Sequence, residues 1–314
     1  MTNRVTTDHE ARMKRAHQAL EGLSLGDAFG ERFFLRVPWP RIDNRILPEG
    51  LWKHTDDTAM ACSIVEVLAH AERIDQDMLA ERFAERFTKD PGRGYGGGAY
   101  KLLSAIAGGA DWRLASKALF HGGSYGNGGA MRAAPIGAYF SDDIERVVAE
   151  ARASAEVTHA HPEGQAGAIA AAVATAYATR AGRVSKDLVG AASGDAERAG
   201  LIPFVLEHTP PGETRDGIVK ASEIPLTAEL HRAASELGTG EAVTAMDTVP
   251  FCMWCAARHL FDFEEAMWTT VAGLGDRDTT CAIVGGIVAM STAKPIPEAW
   301  KKSREKLYLA WDAL

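Results

Sequence analysis

Apolar side chains recur at the three-to-four-residue spacing of helices along most of this chain, and no segment alternates cleanly at the two-residue period of a strand. That restricts the fold to helices packed on helices, because an amphipathic stripe must be buried against another element. Met13, Ala16, Leu20, Leu23 and Ala28 fall near one face of the stretch from Ala11 to Ala28. From Asp57 to His70 apolar residues are almost continuous (Met60, Ala61, Ile64, Val65, Leu68). Gln165 to Ala178 is an alanine-rich run too long for a typical strand. Thr279 to Met290 sets Ala282, Gly285, Gly286 and Ala289 at close helical spacing. Residues so small let a second helix approach, which predicts a central, buried helix. No fixed-period repeat stands out, which argues against a solenoid.

Glycine and proline mark loops at Val37–Gly50, Asp90–Gly98, Gly122–Gly129 and His208–Pro225. None is long or biased enough to be a linker, so one domain over residues 1–314 is expected. With 314 residues, 46% of them hydrophobic, there is ample material for a large core. A net charge of −8 argues against general affinity for nucleic acid, while leaving room for a local basic pocket. No apolar run approaches the roughly 20 residues that span a bilayer. The first twenty residues lack the apolar segment and cleavage site of a secretory signal. Four cysteines in a chain of this length make no disulfide framework. A cytoplasmic, reducing location is therefore expected.

Two acid-led segments carry the candidate chemistry. Thr55-Asp56-Asp57-Thr58 stands directly ahead of one apolar helix, and Gly275-Asp276-Arg277-Asp278-Thr279 ahead of another. Helix capping explains a single Thr or Asp at such a place, since its oxygen satisfies free backbone N–H groups. Capping needs one side chain, however, and each segment carries two acids with threonine beside them. Like charges 4 Å apart repel by about 4 kcal/mol at an effective dielectric of 20. If the segments meet, a cation or a shifted pKa must relieve that repulsion. Carboxylate and hydroxyl oxygens without thiolates suit a hard ion such as Mg²⁺ or Mn²⁺.

These segments resemble the two metal motifs of the ADP-ribosylglycohydrolase family, the second variable between its acids. Ser124-Tyr125-Gly126-Asn127-Gly128-Gly129-Ala130-Met131-Arg132-Ala133-Ala134-Pro135 is similar to the family's substrate loop, and Arg93-Gly94-Tyr95-Gly96 to another glycine-rich segment of its cleft. Thr158-His159 matches a family Thr-His pair, and Leu25-Gly26-Asp27-Ala28-Phe29-Gly30 resembles its opening helix end. The matches follow family order over roughly residues 22 to 290. The resemblance implies a compact, orthogonal all-α domain, its motifs within about residues 11–292, with a two-Mg²⁺ centre at the bottom of a cleft. Thr55, Asp56, Asp57, Asp276, Asp278 and Thr279 would be the ligands. Gly94, Tyr95, Gly96, Ser124, Tyr125, Gly126, Asn127, Gly128, Met131 and His159 would meet ADP-ribose. The bond broken would be N- or O-glycosidic, joining ADP-ribose to a modified acceptor, through an oxocarbenium-like transition state stabilised by nearby anions.

The residues read alone support the loop: Gly126, Gly128 and Gly129 permit positive φ and close approach of backbone N–H groups to an anion. A flexible turn is the plain alternative. Arg132 is read either as a phosphate ligand or as a structural ion-pair partner. Tyr95 and Tyr125 are read as sugar- or base-packing rings, with core packing as the rival. Many family members carry a glutamate several residues past the second glycine of the opening helix end. Here Phe33 and Phe34 hold those places, and Glu31 follows Gly30 at once. Glu31 is accordingly the candidate catalytic acid beside Asp56 and Asp57, a surface glutamate being the alternative. Cys252 and Cys255 are read as buried helical thiols rather than a zinc or redox pair, and Trp52 as packing. Two other functions would use the same residues: a dinuclear hydrolase of phosphate esters or anhydrides, and a non-catalytic ADP-ribose binder.

Overall fold

Small residues decide how these helices meet. The computed structural model describes residues 8–34, 40–187 and 194–309. Its helices include α1 (Asp8–Glu31), α2 (Asp56–Ala71), α3 (Gln76–Lys89), α4 (Ala134–Tyr139), α5 (Ile144–Glu156), α6 (Pro162–Asp187), α7 (Glu213–Glu223), α8 (Ala245–Arg258) and α9 (Arg277–Val288). No strand occurs among the described residues, only the isolated bridges Trp52–Arg304 and Gly126–Thr244. The chain is all-α, as its periodicity predicts.

Helices α1 and α9 run antiparallel with their backbones nearly touching. A Cβ on Gly22 would lie 2.4 Å from the Gly285 carbonyl oxygen, one on Gly26 2.0 Å from that of Cys281, and one on Gly30 2.2 Å from that of Arg277. One glycine per turn of α1 therefore lets the two axes close to a separation that any side chain would forbid. The expected central helix is α9, and its partner is the first helix of the chain. The alanine run lies in α6, where Ala168 through Ala174 are buried. Gly137 of α4 approaches the Ala172 carbonyl of α6, while Gly167 of α6 sits against Ala245 and Val249 of α8. A helix covered on several sides has no polar face, which is why that run shows so little amphipathic pattern.

The end of α1 is anchored by aromatic rings. Phe29 stacks on Trp300 at 4.7 Å and meets Trp268 edge-on at 5.0 Å, with Trp52 at 5.7 Å. Trp52 is thus packing, as expected, and its Nε1 donates to the Pro48 carbonyl. One apolar cluster runs from Ala16 to Trp300. The four cysteines are free and buried, Cys252 and Cys255 on α8. No helix among the described residues is long and apolar enough to cross a membrane.

The segment His208–Pro225 departs from expectation: it is not all loop, because it contains α7. Pro210, Pro211 and Gly212 (φ +152°) mark only the approach to that helix, and Pro225 follows its end. Thr214, Ile218 and Ala221 then point inward at helical spacing, and Gly217 survives mid-helix because Pro250 fills the space where its side chain would go. The expected loop Val37–Gly50 includes a helical turn at Pro40–Asp43, and residues 35–39 lie outside those described.

Candidate active site: an acid-floored cleft

Thr55 caps α2, its Oγ1 accepting from the Asp57 backbone N–H at 3.4 Å. The same hydroxyl stands 2.9 Å from Asp27 Oδ1 and 2.8 Å from Asp57 Oδ2. One hydroxyl proton serves only one of these oxygens, so the turn holds more acceptors than donors. Asp27, wholly buried on α1, accepts from the backbone N–H groups of Thr55 and Thr58, each at 3.0 Å, and from the Thr58 hydroxyl. Burial pushes its carboxyl up to about 6 against the lowering effect of those hydrogen bonds. Asp27 is the residue that motif reading passed over. Its signal was there: an acid inside an otherwise apolar, small-residue helix end must find partners to be buried at all.

The second acidic segment meets the first. Asp57 is pushed well above the ordinary carboxyl range, first by burial and then by the charges of Asp278, Asp27, Asp56 and Asp276. Asp278 is raised likewise by burial, then by Asp276 and Asp27. Burial and the neighbouring Asp27 bring Asp56 up to about 7. The Oδ1 atoms of Asp57 and of Asp278 are both buried without a hydrogen-bond partner among the described residues. Asp276, ahead of α9, makes no side-chain cap there. Its Oδ2 instead accepts from Asn127 Nδ2 at 2.7 Å. Capping therefore accounts for Thr55 and leaves the four acids of the two segments unexplained.

Above these acids lies a cleft of about 540 Å³. Asp56, Asp276, Asp278 and Thr279 reach it from below, Gly94 and Gly96 form one wall, and Ser124 to Gly128, Met131 and His159 form another. Thr55 and Asp57 sit deeper, 6% and 1% exposed. Gly94, at φ +87°, lets the loop turn directly over the Asp56 carboxylate, and Asp56 N donates to the Arg93 carbonyl at 2.7 Å. Phe120, Tyr125 and Val243 stand exposed at the mouth. A larger groove beside α3 and residues 306–309 contains none of the six proposed ligands.

Several expectations change. Tyr95 does not line the cleft; its ring is buried edge-on against Phe87 at 5.1 Å, the core-packing reading. Glu31, at the last residue of α1, is not a wall residue either. Its carboxyl is raised by burial and eased by Arg32, with no contribution from the acid cluster. Positive φ falls at Gly122 and Gly123, just ahead of the substrate loop, and not at Gly126, Gly128 or Gly129. Gly126 and Gly128 are needed instead because the His159 ring lies against them. Arg132 forms no ion pair with a carboxylate among the described residues: buried, it donates to the Gly128 and Ser154 carbonyls and to Thr158 Oγ1. Residues 242–244, which motif reading did not single out, seat the loop through Asn127 N to Val243 O at 3.2 Å and Ala245 N to Tyr125 O at 3.0 Å.

The fold is all-α, and its cleft is floored by acids and walled by glycines. The chain belongs to the ADP-ribosylglycohydrolase family, whose profile matches residues 8–314. It is accordingly a glycohydrolase of the group that reverses ADP-ribosylation. It is 34% identical over 275 residues to the ADP-ribosylhydrolase ARH3 of Homo sapiens, covering 80% of this chain and 74% of that protein. The ARH3 of Danio rerio is 29% identical over 334 residues, covering 93% and 87%. Among solved structures, an ADP-ribosylglycohydrolase-related protein complex matches with a TM-score of 0.65 at 25% identity, covering 94% of each chain.

Proposed function

We propose that this chain is a Mg²⁺-dependent hydrolase that cleaves the N- or O-glycosidic bond between ADP-ribose and a modified acceptor. Thr55, Asp56, Asp57, Asp276, Asp278 and Thr279 would hold two ions, Mn²⁺ serving in place of Mg²⁺. The observation that carries this reading is the pair of buried, unpartnered Oδ1 atoms on Asp57 and Asp278, contributed by two helix starts and sharing one excess of negative charge. Oxygen donors without thiolates fit hard cations. No three acidic, histidine or cysteine side chains among the described residues close into a cage of their own, so ions here would also draw on threonine hydroxyls and on substrate oxygens. When bound, the ions would supply Lewis acidity and lower the pKa of a water.

The chain's own groups do the rest. The acids set a negative potential where positive charge develops on the sugar. Asp56 faces the cleft, where its carboxylate would accept a proton from an attacking water. Gly94 and Gly96, where a Cβ would meet nothing closer than 3.8 Å, leave that wall low enough for a ribose diphosphate to lie against backbone. At the mouth the rings of Phe120 and Tyr125, 6.4 Å apart and tilted by 45°, offer apolar faces to a base. Free, buried cysteines are in keeping with the cytoplasmic location proposed for the enzyme.

The test is release of free ADP-ribose from an ADP-ribosylated protein. Turnover is expected to stop in excess chelator and return with Mg²⁺ or Mn²⁺. Full turnover in chelator would sink the two-ion reading, and release of phosphate would move it to ester or anhydride hydrolysis.

A further inference from the structure

His159 follows α5 and is buried, 8% exposed as a residue, and its ring faces in two directions. Its Nδ1 lies 2.7 Å from Thr158 Oγ1. Its Nε2 makes no hydrogen bond among the described residues and points along the glycine loop: a Cβ would come within 3.3 Å of it on Gly126 and 3.1 Å on Gly128. The state of this imidazole is set from behind. Arg132 Nη2 donates to Thr158 Oγ1 at 2.8 Å, and a guanidinium can only donate. The hydroxyl therefore receives one proton and has its own to give, and Nδ1 is the acceptor in reach. The reverse arrangement would leave a buried hydroxyl proton without a partner, which costs more than the bond it would spare. Burial, and then the Arg132 charge, lower the ring's pKa to about 3, so it stays neutral and carries a single proton.

We propose that Arg132 and Thr158 are positioning residues that hold His159 as the Nε2–H tautomer, so that its one proton is offered to an anionic acceptor oxygen in the cleft, a diphosphate oxygen of the substrate. The acceptor assignment rests on the ADP-ribose reading above; the relay does not. Arg132 adds a buried positive charge beneath the same loop, its Nη1 and Nη2 donating also to the carbonyls of Gly128 and Ser154. It acts on the substrate through His159 and through its field, without touching either phosphate.

The tautomer is read in the ligand-free, ¹⁵N-labelled enzyme from long-range proton–nitrogen spectra, with the His159 signals identified by their loss in His159→Gln. Nδ1 is expected to be pyridine-like and Nε2 pyrrole-like, and added ADP-ribose should shift Nε2. Thr158→Val, nearly isosteric, should mix the tautomers and weaken ADP-ribose binding about tenfold by calorimetry, with the helical circular dichroism intact. Thr158→Ser should restore both. An Nδ1–H tautomer in the wild type overturns the relay, and so does a folded Thr158→Val with wild-type tautomer and affinity. The expected tautomer in a wild type that binds no ADP-ribose leaves the relay standing, overturns the acceptor assignment and takes the functional reading with it.

Discussion

Asp27 shows what one buried acid organises. Its oxygens take the backbone N–H groups and hydroxyls of Thr55 and Thr58, which fixes the turn that presents Asp56 and Asp57. Asparagine offers one acceptor oxygen where the carboxylate offers two. Asp27→Asn is therefore expected to lower kcat/KM about a hundredfold, the scale of an ångström-sized misplacement, while relief of a buried charge keeps the melting temperature within a few degrees of wild type. Unchanged kcat/KM would show that Thr55 orders the turn alone. Glu31 is the opposite case. It lies outside the cleft wall and away from the influence of the acids, so Glu31→Gln should leave kcat within about tenfold of wild type. A loss of about a hundredfold or more, the range of a working acid–base group, would place its carboxylate at the anomeric centre. Residue type alone separates neither Asp27 nor Glu31 from an ordinary acid, because what distinguishes them is which atoms surround them.

Helix ends matter here as much as helix interiors. The α1–α9 contact brings Gly30 against the backbone of Arg277 and Asp278, so the closeness of two helices delivers the second acid pair to Asp27. Gly26→Ala sets a methyl 2.0 Å from the Cys281 carbonyl oxygen, and backbone cannot rotate aside as a side chain can. The expected cost is about 1–3 kcal/mol, typical of overpacking, read as a lower urea midpoint at unchanged slope. Gly97→Ala, with nothing within 4 Å, should move the midpoint little; equal midpoints for the two variants would mean that the helix pair yields freely. Helix α7 is instructive on the sequence side. Its inward residues keep helical spacing, but a density of proline and glycine ahead of it reads as loop, and only Pro250 shows why Gly217 is tolerated there.

At the scale of the whole molecule, the two acid segments lie some two hundred residues apart in sequence, and in space the charges of the second help raise the carboxyls of the first. A carboxyl raised by folding contributes stability below its unfolded pKa and loses it as pH rises through its folded pKa. In chelator, Asp278→Asn should therefore melt above wild type, by on the order of 2 °C, with a margin that widens from pH 5 to pH 8. In Mg²⁺ the order should invert, because an ion bound only by the folded state stabilises wild type by about 2.7 kcal/mol at a hundred times its dissociation constant and the variant much less. Thermal unfolding in both buffers checks this; the same order in both would argue against an ion between the segments. Sequence by itself determined the helical class, the acid-led helix starts, the glycine loop and the small-residue face of α9, since period, capping and small-residue spacing are local properties. Only the tertiary structure decided that α1 is the partner of α9, that Asp27 joins the acids, that Tyr95 turns inward, and that Gly126 and Gly128 make room for a histidine edge. Each of those depends on groups far apart in the chain sharing one volume, and the order of residues along a helix carries no record of what packs against it.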